Sequence, residues 1–191
     1  MYADERKRRA LQTSLKTVDD FLRELNLQAL IKFADSGSLP RISQLTQKTN
    51  QFNLATRRYS EGEIKKNLDG GSKIWTLQAR DKFGDYGIVG IAMIEPRGEL
   101  WRIDNFMLSC RILGRGIEKI FLNFVLKTAR AAGAKTVAGE FIPTAKNKSC
   151  ATFYADNNFE FKGQEGDVNF YHHDLASFSV DYPSFIKVTC L

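Results

Sequence analysis

A glycine-punctuated junction constrains this chain more than any other feature. Residues 103–108 are apolar and read as a strand, and Arg111-Ile112-Leu113-Gly114-Arg115-Gly116 follows them. The next run, 117–125, carries an apolar stripe of Ile117, Ile120, Phe121 and Phe124, which is the spacing of one helical face. A tight strand-to-helix turn leaves backbone N–H groups without partners at the helix start, and the helix dipole makes that end positive. Such a turn suits an anion, above all a phosphate. Glycine at 114 and 116 would let a ligand approach the backbone closely, because no Cβ intervenes. The turn lacks the Gly-Lys-Ser/Thr ending of a Walker A loop, and it has too few glycines for a dinucleotide fingerprint.

The flanking segments predict the surrounding architecture. Leu11, Leu15, Val18, Leu22 and Leu25 share a helical face, and Thr17 with Asp20 predicts a cap that splits it into two helices. A short strand is expected over 27–33. Pro40 opens a helix with Ile42, Leu45 and Phe52 as buried positions. Ser60 and Glu63 form a capping-box pattern before a helix that ends at Gly70-Gly71. Three β-favouring runs, 74–79, 87–94 and 100–108, alternate with turns expected at 84–87 and 96–99, which makes an antiparallel meander. After the helix that Gly133 ends, a strand is expected over 135–141, parallel to its predecessor because a helix crosses between them. A helix over 147–156 and two short strands over 159–162 and 168–173, joined by a turn at 163–166, complete the pattern. The last segment, 175–191, is weakly patterned. The fold class is therefore α+β (mixed α/β), with a central, mostly antiparallel sheet flanked by helices. The expected organisation is an N-terminal helical extension over 1–25, one domain over 26–174 and a tail over 175–191.

Composition narrows the function. With 191 residues, 43% apolar, the chain can bury a sizeable core. It contains no apolar run of membrane-spanning length and no signal-peptide pattern. Cys110, Cys150 and Cys190 are too few for a disulfide scaffold, so a cytoplasmic protein with free thiols is expected. The formal charge of +6 favours an anionic partner. Arg6-Lys7-Arg8-Arg9 reads as a solvated helix face, without the interleaved aromatics of a single-strand nucleic-acid platform, so nucleic acid is an unlikely partner. His172 and His173 are adjacent in a strand and point to opposite faces, so no metal site is expected.

The pattern Arg-x-x-Gly-x-Gly between strand and helix resembles the coenzyme A pyrophosphate loop of the GNAT acyltransferases. The segment Asn147…Phe153-Tyr154-Ala155-Asp156-Asn157-Asn158-Phe159 resembles a second GNAT motif, with Asn158 in place of the usual glycine. Longer polar stretches are similar to the C-terminal, GNAT-like domain of FkbH-like proteins. These are 39–59, 81–90, 108–116 and Pro143-Thr144-Ala145-Lys146-Asn147. Members of that family join a HAD-type phosphatase to this domain and are implicated in loading a glyceryl unit onto an acyl carrier protein in polyketide-type pathways. The phosphatase nucleophile pattern Asp-x-Asp does not occur here, so phosphatase chemistry is not expected of this chain.

The resemblance implies a GNAT-like fold and an acyltransferase-like activity on acetyl-CoA, another acyl-CoA or a carrier protein's phosphopantetheine thioester. It implies that Phe106, Leu108, Arg111, Leu113, Gly114, Arg115, Gly116 and Asn147 contact the cofactor. It further implies Asp104 as the base and Tyr154 as the acid that protonates the departing thiolate. From its place at the start of the 147–156 segment, Asn147 reads as a helix cap. The run from Gln44 to Asn53, with Gln47, Lys48, Thr49, Asn50 and Gln51, reads either as a substrate or partner wall or as a structural hydrogen-bond network. The alternative function is a non-catalytic module that docks a carrier protein beside a HAD-type phosphatase domain.

Overall fold

A computed structural model describes residues 2–48, 51–180, 183 and 185–191. Thr49 and Asn50 of the polar run lie outside the described residues. The elements run α1 (Tyr2–Ser14), α2 (Val18–Leu25), β1 (Gln28–Phe33), α3 (Leu39–Lys48), β2 (Phe52–Asn53), α4 (Glu61–Asp69), β3 (Lys73–Asp81), β4 (Gly84–Arg97), β5 (Leu100–Leu108), α5 (Ile117–Ala131), β6 (Thr136–Phe141), β7 (Glu160–Glu165), β8 (Val168–Asp174) and β9 (Lys187–Cys190). The strands form one sheet in the order β7-β8-β6-β5-β4-β3-β1-β9, with β2 added against β5. Neighbours are antiparallel except for β5 with β6 and β1 with β9. The expected mixed α/β architecture, with a mostly antiparallel sheet between helices, is present.

The local signals act as their chemistry dictates. Thr17 accepts the Asp20 N–H at the start of α2. Ser60 and Glu63 close a full capping box on α4. Helix α5 packs Ile117, Ile120 and Phe121 on one sheet face with Trp101, Ile103 and Phe106. Helices α3 and α4 cover the other face, with Ile42, Leu45 and Ile64 against Ile91, Met93 and Met107. Both Ile103 and Phe106 reach the α5 side because the register against β4 slips between Met93 and Ile94, leaving Asp104 as the extra residue of a β-bulge.

Several expectations need correction. Phe52 is buried as expected but lies on β2, since α3 ends at Lys48. The β3–β4 turn is Lys82-Phe83, earlier than 84–87, because the Asp81 carboxylate accepts the Phe83 and Gly84 N–H groups and closes it there. The expected helix over 147–156 is two short 3₁₀ turns, Lys148–Cys150 and Ala155–Asn157. A side chain competes with the helical ladder there, since the Asn157 amide takes the Phe153 carbonyl while its own N–H bonds Tyr154 in the 3₁₀ manner. The expected 163–166 turn lies instead beyond Glu165, with a register shift around Gly163. Arg8 departs from the solvated face expected of 6–9. It is buried and forks onto Asp81 at 2.7 and 3.0 Å, fastening α1 to the end of β3. The weakly patterned tail contributes β9, which pairs with β1.

Candidate functional site

Strands β5 and β6 pair only from Leu100–Thr136 to Ile103–Gly139 and then diverge. Beyond that point the Asp104 bulge and the turn after β6 open a wedge in the sheet. Three groups of residues converge around it: the glycine loop at the end of β5, a tyrosine at the apex and an ion network on the α3–α4 side.

The loop has the conformation its glycines permit. Gly114 and Gly116 lie at φ +73° and +79°, the left-handed region that a side chain disfavours. Space above Gly114 is open, whereas a Cβ on Gly116 would come 3.0 Å from Pro183 Cγ. An acceptor is already present for one loop donor. The Glu118 carboxylate, in the first turn of α5, accepts the Gly114 N–H at 2.6 Å. Burial pushes its pKa up, although backbone N–H groups of the loop pull the other way. Arg111 donates to the Tyr86 carbonyl at 3.1 Å and to Ser109. Arg115 donates to the Tyr86 hydroxyl, stacks over that ring, and lies 3.8 Å from Asp81. Burial and the Asp81 hydrogen bond raise the Tyr86 pKa to about 12. Leu113 is half-buried against the core, and a cleft of about 440 Å³ separates this loop from α1.

Tyr154 stands at the apex. It is almost fully buried, and its ring packs so closely on Gly139 that a Cβ there would lie 2.3 Å from Tyr154 Cζ. Phe159 and Tyr171 flank the ring at 4.8 and 5.3 Å. Its hydroxyl meets no acceptor; the Glu140 backbone N–H approaches it and pulls its pKa down, but burial, aided by the Glu140 charge, holds that pKa far above the ordinary tyrosine value. The group is therefore a proton donor without an acceptor.

The wedge itself holds a segment of the chain. Phe52 and Asn53 of β2 pair with Leu108 and Met107. The Leu54 N–H donates to the Phe106 carbonyl at 3.1 Å, and the Ile142 N–H donates to the Leu54 carbonyl at 2.8 Å, so Leu54 bridges both lips. Backbone groups of Phe106 and Leu108 on this edge therefore face β2. Asn147, fully buried, clamps the same region. Its amide donates to the Asn53 and Ile142 carbonyls at 2.9 and 3.0 Å, and its carbonyl accepts the Thr144 N–H. It makes no side-chain cap bond to the following turn.

Asp104 faces away from α5 and is fully engaged. Tyr59 donates to Oδ2 at 2.6 Å, Arg102 to Oδ1 at 3.1 Å, and Arg57 lies 3.6 Å from Oδ1. Arg102 also grips Glu95 and Glu140, and Arg57 pairs with Glu140. Burial alone would raise the Glu140 pKa, but hydrogen bonds from Arg57 and Arg102 hold it below the usual carboxylate range. Sequence reading named Asp104 but missed its partners. The i, i+2 spacing of Arg102 and Asp104 was the available signal. Arg57 and Tyr59, by contrast, arrive from a loop distant in sequence.

No protein-family model matches the chain, and no curated protein matches it in sequence. Solved structures do share its fold. A GNAT-family acetyltransferase from Desulfovibrio desulfuricans aligns with a TM-score of 0.60 at 13% identity, over 77% of this chain and 99% of that one. A GNAT-family acetyltransferase from Staphylococcus aureus aligns at 0.59 and 16% identity, over 77% and 99%. The spermidine N-acetyltransferase of Vibrio cholerae, solved with CoA and spermine, aligns at 0.61 and 14% identity, over 78% and 96%. The chain has the GNAT fold.

Proposed function

We propose that this domain is an acyltransferase that binds an acyl thioester carried on coenzyme A or on a carrier protein's phosphopantetheine arm. The observation that carries this reading is the buried Tyr154 hydroxyl, which meets no acceptor and lies against Gly139 at the apex of the β5–β6 wedge. A hydroxyl left without an acceptor in a dry site costs stability, and a ligand atom that accepts its hydrogen bond relieves that cost.

The residues fit such a ligand in part. Gly114 leaves room for a phosphate, and Arg111 and Arg115 flank it. The edge of β5 at Phe106 and Leu108 suits an extended amide-bearing arm, but Leu54 now occupies it. Binding thus requires residues 51–54 to withdraw and Glu118 to yield its loop hydrogen bond. The thioester supplies an activated carbonyl. Tyr154 holds a proton at Oη for the departing sulfur, and Asp104 takes the acceptor's proton once Tyr59 or Arg102 releases one of its oxygens.

The resemblance to FkbH-like C-terminal domains supports a carrier-protein thioester in polyketide-type biosynthesis, beside a HAD-type phosphatase domain. The +6 charge suits an acidic carrier protein. A second reading, a non-catalytic docking module, is favoured by the filled wedge and the engaged Asp104. Thermal unfolding with coenzyme A, and the intact mass of a carrier protein incubated with acyl donor and this domain, decide between them. A melting shift with mass gain is expected; a shift without mass gain favours docking, and the absence of both effects refutes the thioester reading.

A further inference from the structure

Beside the wedge, on the α3 face, lies a second cleft of about 610 Å³. Its walls carry three cationic side chains, Arg41 and Lys48 from α3 and Lys146 from the loop after β6, together with the amides of Gln44 and Gln51. Among the described residues, no carboxylate lines it. Ser109 and Cys110, at the end of β5, form its boundary toward the glycine loop. It continues into a shallow groove where Arg41 meets Arg111.

The arginine that lines both the cleft and the groove is built in rather than loose. Arg41 is half-buried and donates from Nε and Nη2 to the Ile88 carbonyl at 3.3 and 3.2 Å, and it also holds Gln44. Burial and the nearby charge of Arg111 both act against its cationic form. A fixed guanidinium held beside a second one gains most from an anion placed between them. A bound ammonium would meet the like charges of Arg41, Lys48 and Lys146.

We propose that this cleft is the subsite for the acyl group or acceptor, and that it selects a small molecule bearing a carboxylate or phosphate rather than an amine cation. Placement supports this use, since Gln51 leads directly into the β2 segment that fills the wedge. An anionic group gripped by Arg41, Lys48 and Lys146 would hold its other end at the wedge mouth. This inference rests on the acyltransferase reading for its role in transfer, but the anion site itself stands apart from it.

Titration calorimetry at constant ionic strength separates the two. The full chain is titrated with succinate, inorganic phosphate, putrescine and, separately, coenzyme A. Saturable binding of succinate or phosphate, and none of putrescine, is expected; whichever anion binds more tightly identifies the group. In the Lys48→Glu, Lys146→Glu double variant, whose two sites are exposed, that affinity should fall about tenfold or more. Arg41→Gln should weaken it similarly. Anion binding that persists unchanged in both variants, or tight putrescine binding, overturns the proposal. So does anion binding abolished by saturating coenzyme A and insensitive to Lys48 and Lys146, since that places the anion at the glycine loop. Anion binding without coenzyme A binding leaves this cleft intact and removes the thioester reading instead.

Discussion

Replacing Tyr154 with Phe tests the apex of the wedge in two currencies at once. The substitution removes one oxygen and keeps the ring that Phe159, Tyr171 and Gly139 enclose. That oxygen is buried and donates to nothing. A buried unsatisfied polar group costs about 1–3 kcal/mol, so its removal should stabilise the domain by about 1 kcal/mol. For a chain of this size that corresponds to a rise of about 2–4 °C in Tm. Acyl transfer should move the other way. If Oη protonates the departing thiolate, its loss should cost about 10²- to 10⁴-fold in turnover. Because burial raises the Tyr154 pKa, the group stays protonated, and no alkaline decline in rate should trace to it near the ordinary tyrosine value of about 10. Differential scanning fluorimetry and a transfer assay across pH measure both effects. A fall in Tm would show that the hydroxyl has an acceptor after all. A rise in Tm with an unchanged rate would remove its role as the acid.

Other perturbations probe the frame around it. Asp81→Asn leaves Arg8 and Arg115 without their buried counter-charge and should cost about 3–5 kcal/mol, read by urea unfolding. Burial pushes the Asp81 pKa up, but hydrogen bonds from Arg8, Tyr86 and the Phe83 N–H bring it below 3.8. Its contribution is therefore present above that value and fades as pH falls through the lower folded value, so wild type and variant should converge in acid; parallel curves would contradict this. Glu118 has the opposite sign, because its folded pKa is raised above 4.5. Its charged form loses stability as pH rises from 4.5 through the raised value, so Glu118→Gln should melt higher at neutral pH and equal the wild type below 4.5. The same variant, lacking a negative charge at the loop, should bind coenzyme A more tightly by calorimetry; weaker binding would place the phosphates elsewhere. Hydrogen exchange of the Leu54 amide should be slow in the free protein and faster with coenzyme A present, and no change would mean that the wedge stays shut.

Much of this was legible in the sequence where the physics is local. Caps at Thr17 and Ser60 depend on neighbours within a few residues and formed as read, and the meander and parallel crossover formed in the expected order, with the β3–β4 turn earlier than expected. Asn158 takes the left-handed conformation its position before Phe159 implied, at φ +62°. What escaped depends on pairings distant in sequence. Arg8 looked like one more surface cation until β3 brought Asp81 to it across 73 positions. Phe52 looked like a helix position, because a two-residue strand has no period of its own and exists only through its pairing with β5. Glu118 is an ordinary first-turn acid in sequence, and its hold on Gly114 follows from the turn's closure.

The filled wedge and the open chemistry at its apex are compatible once their energies are compared. Two diverging strands expose backbone N–H and C=O groups that must be paired by water, ligand or chain. Leu54 pairs both lips, at Phe106 and Ile142. An extended amide arm entering the same gap would remake those bonds, so the exchange of hydrogen bonds is close to neutral. What the protein forfeits is burial of the Phe52 and Leu54 side chains, both enclosed in the core, at about 1.5–3 kcal/mol each. A ligand's apparent affinity is reduced by the fraction of molecules already open, here about 10²- to 10⁴-fold. The Tyr154 hydroxyl returns part of that, since a ligand acceptor satisfies what Leu54 cannot. The balance favours an arm that also gains affinity elsewhere, at the glycine loop or through a docked carrier protein, over a short thioester with nothing else to hold.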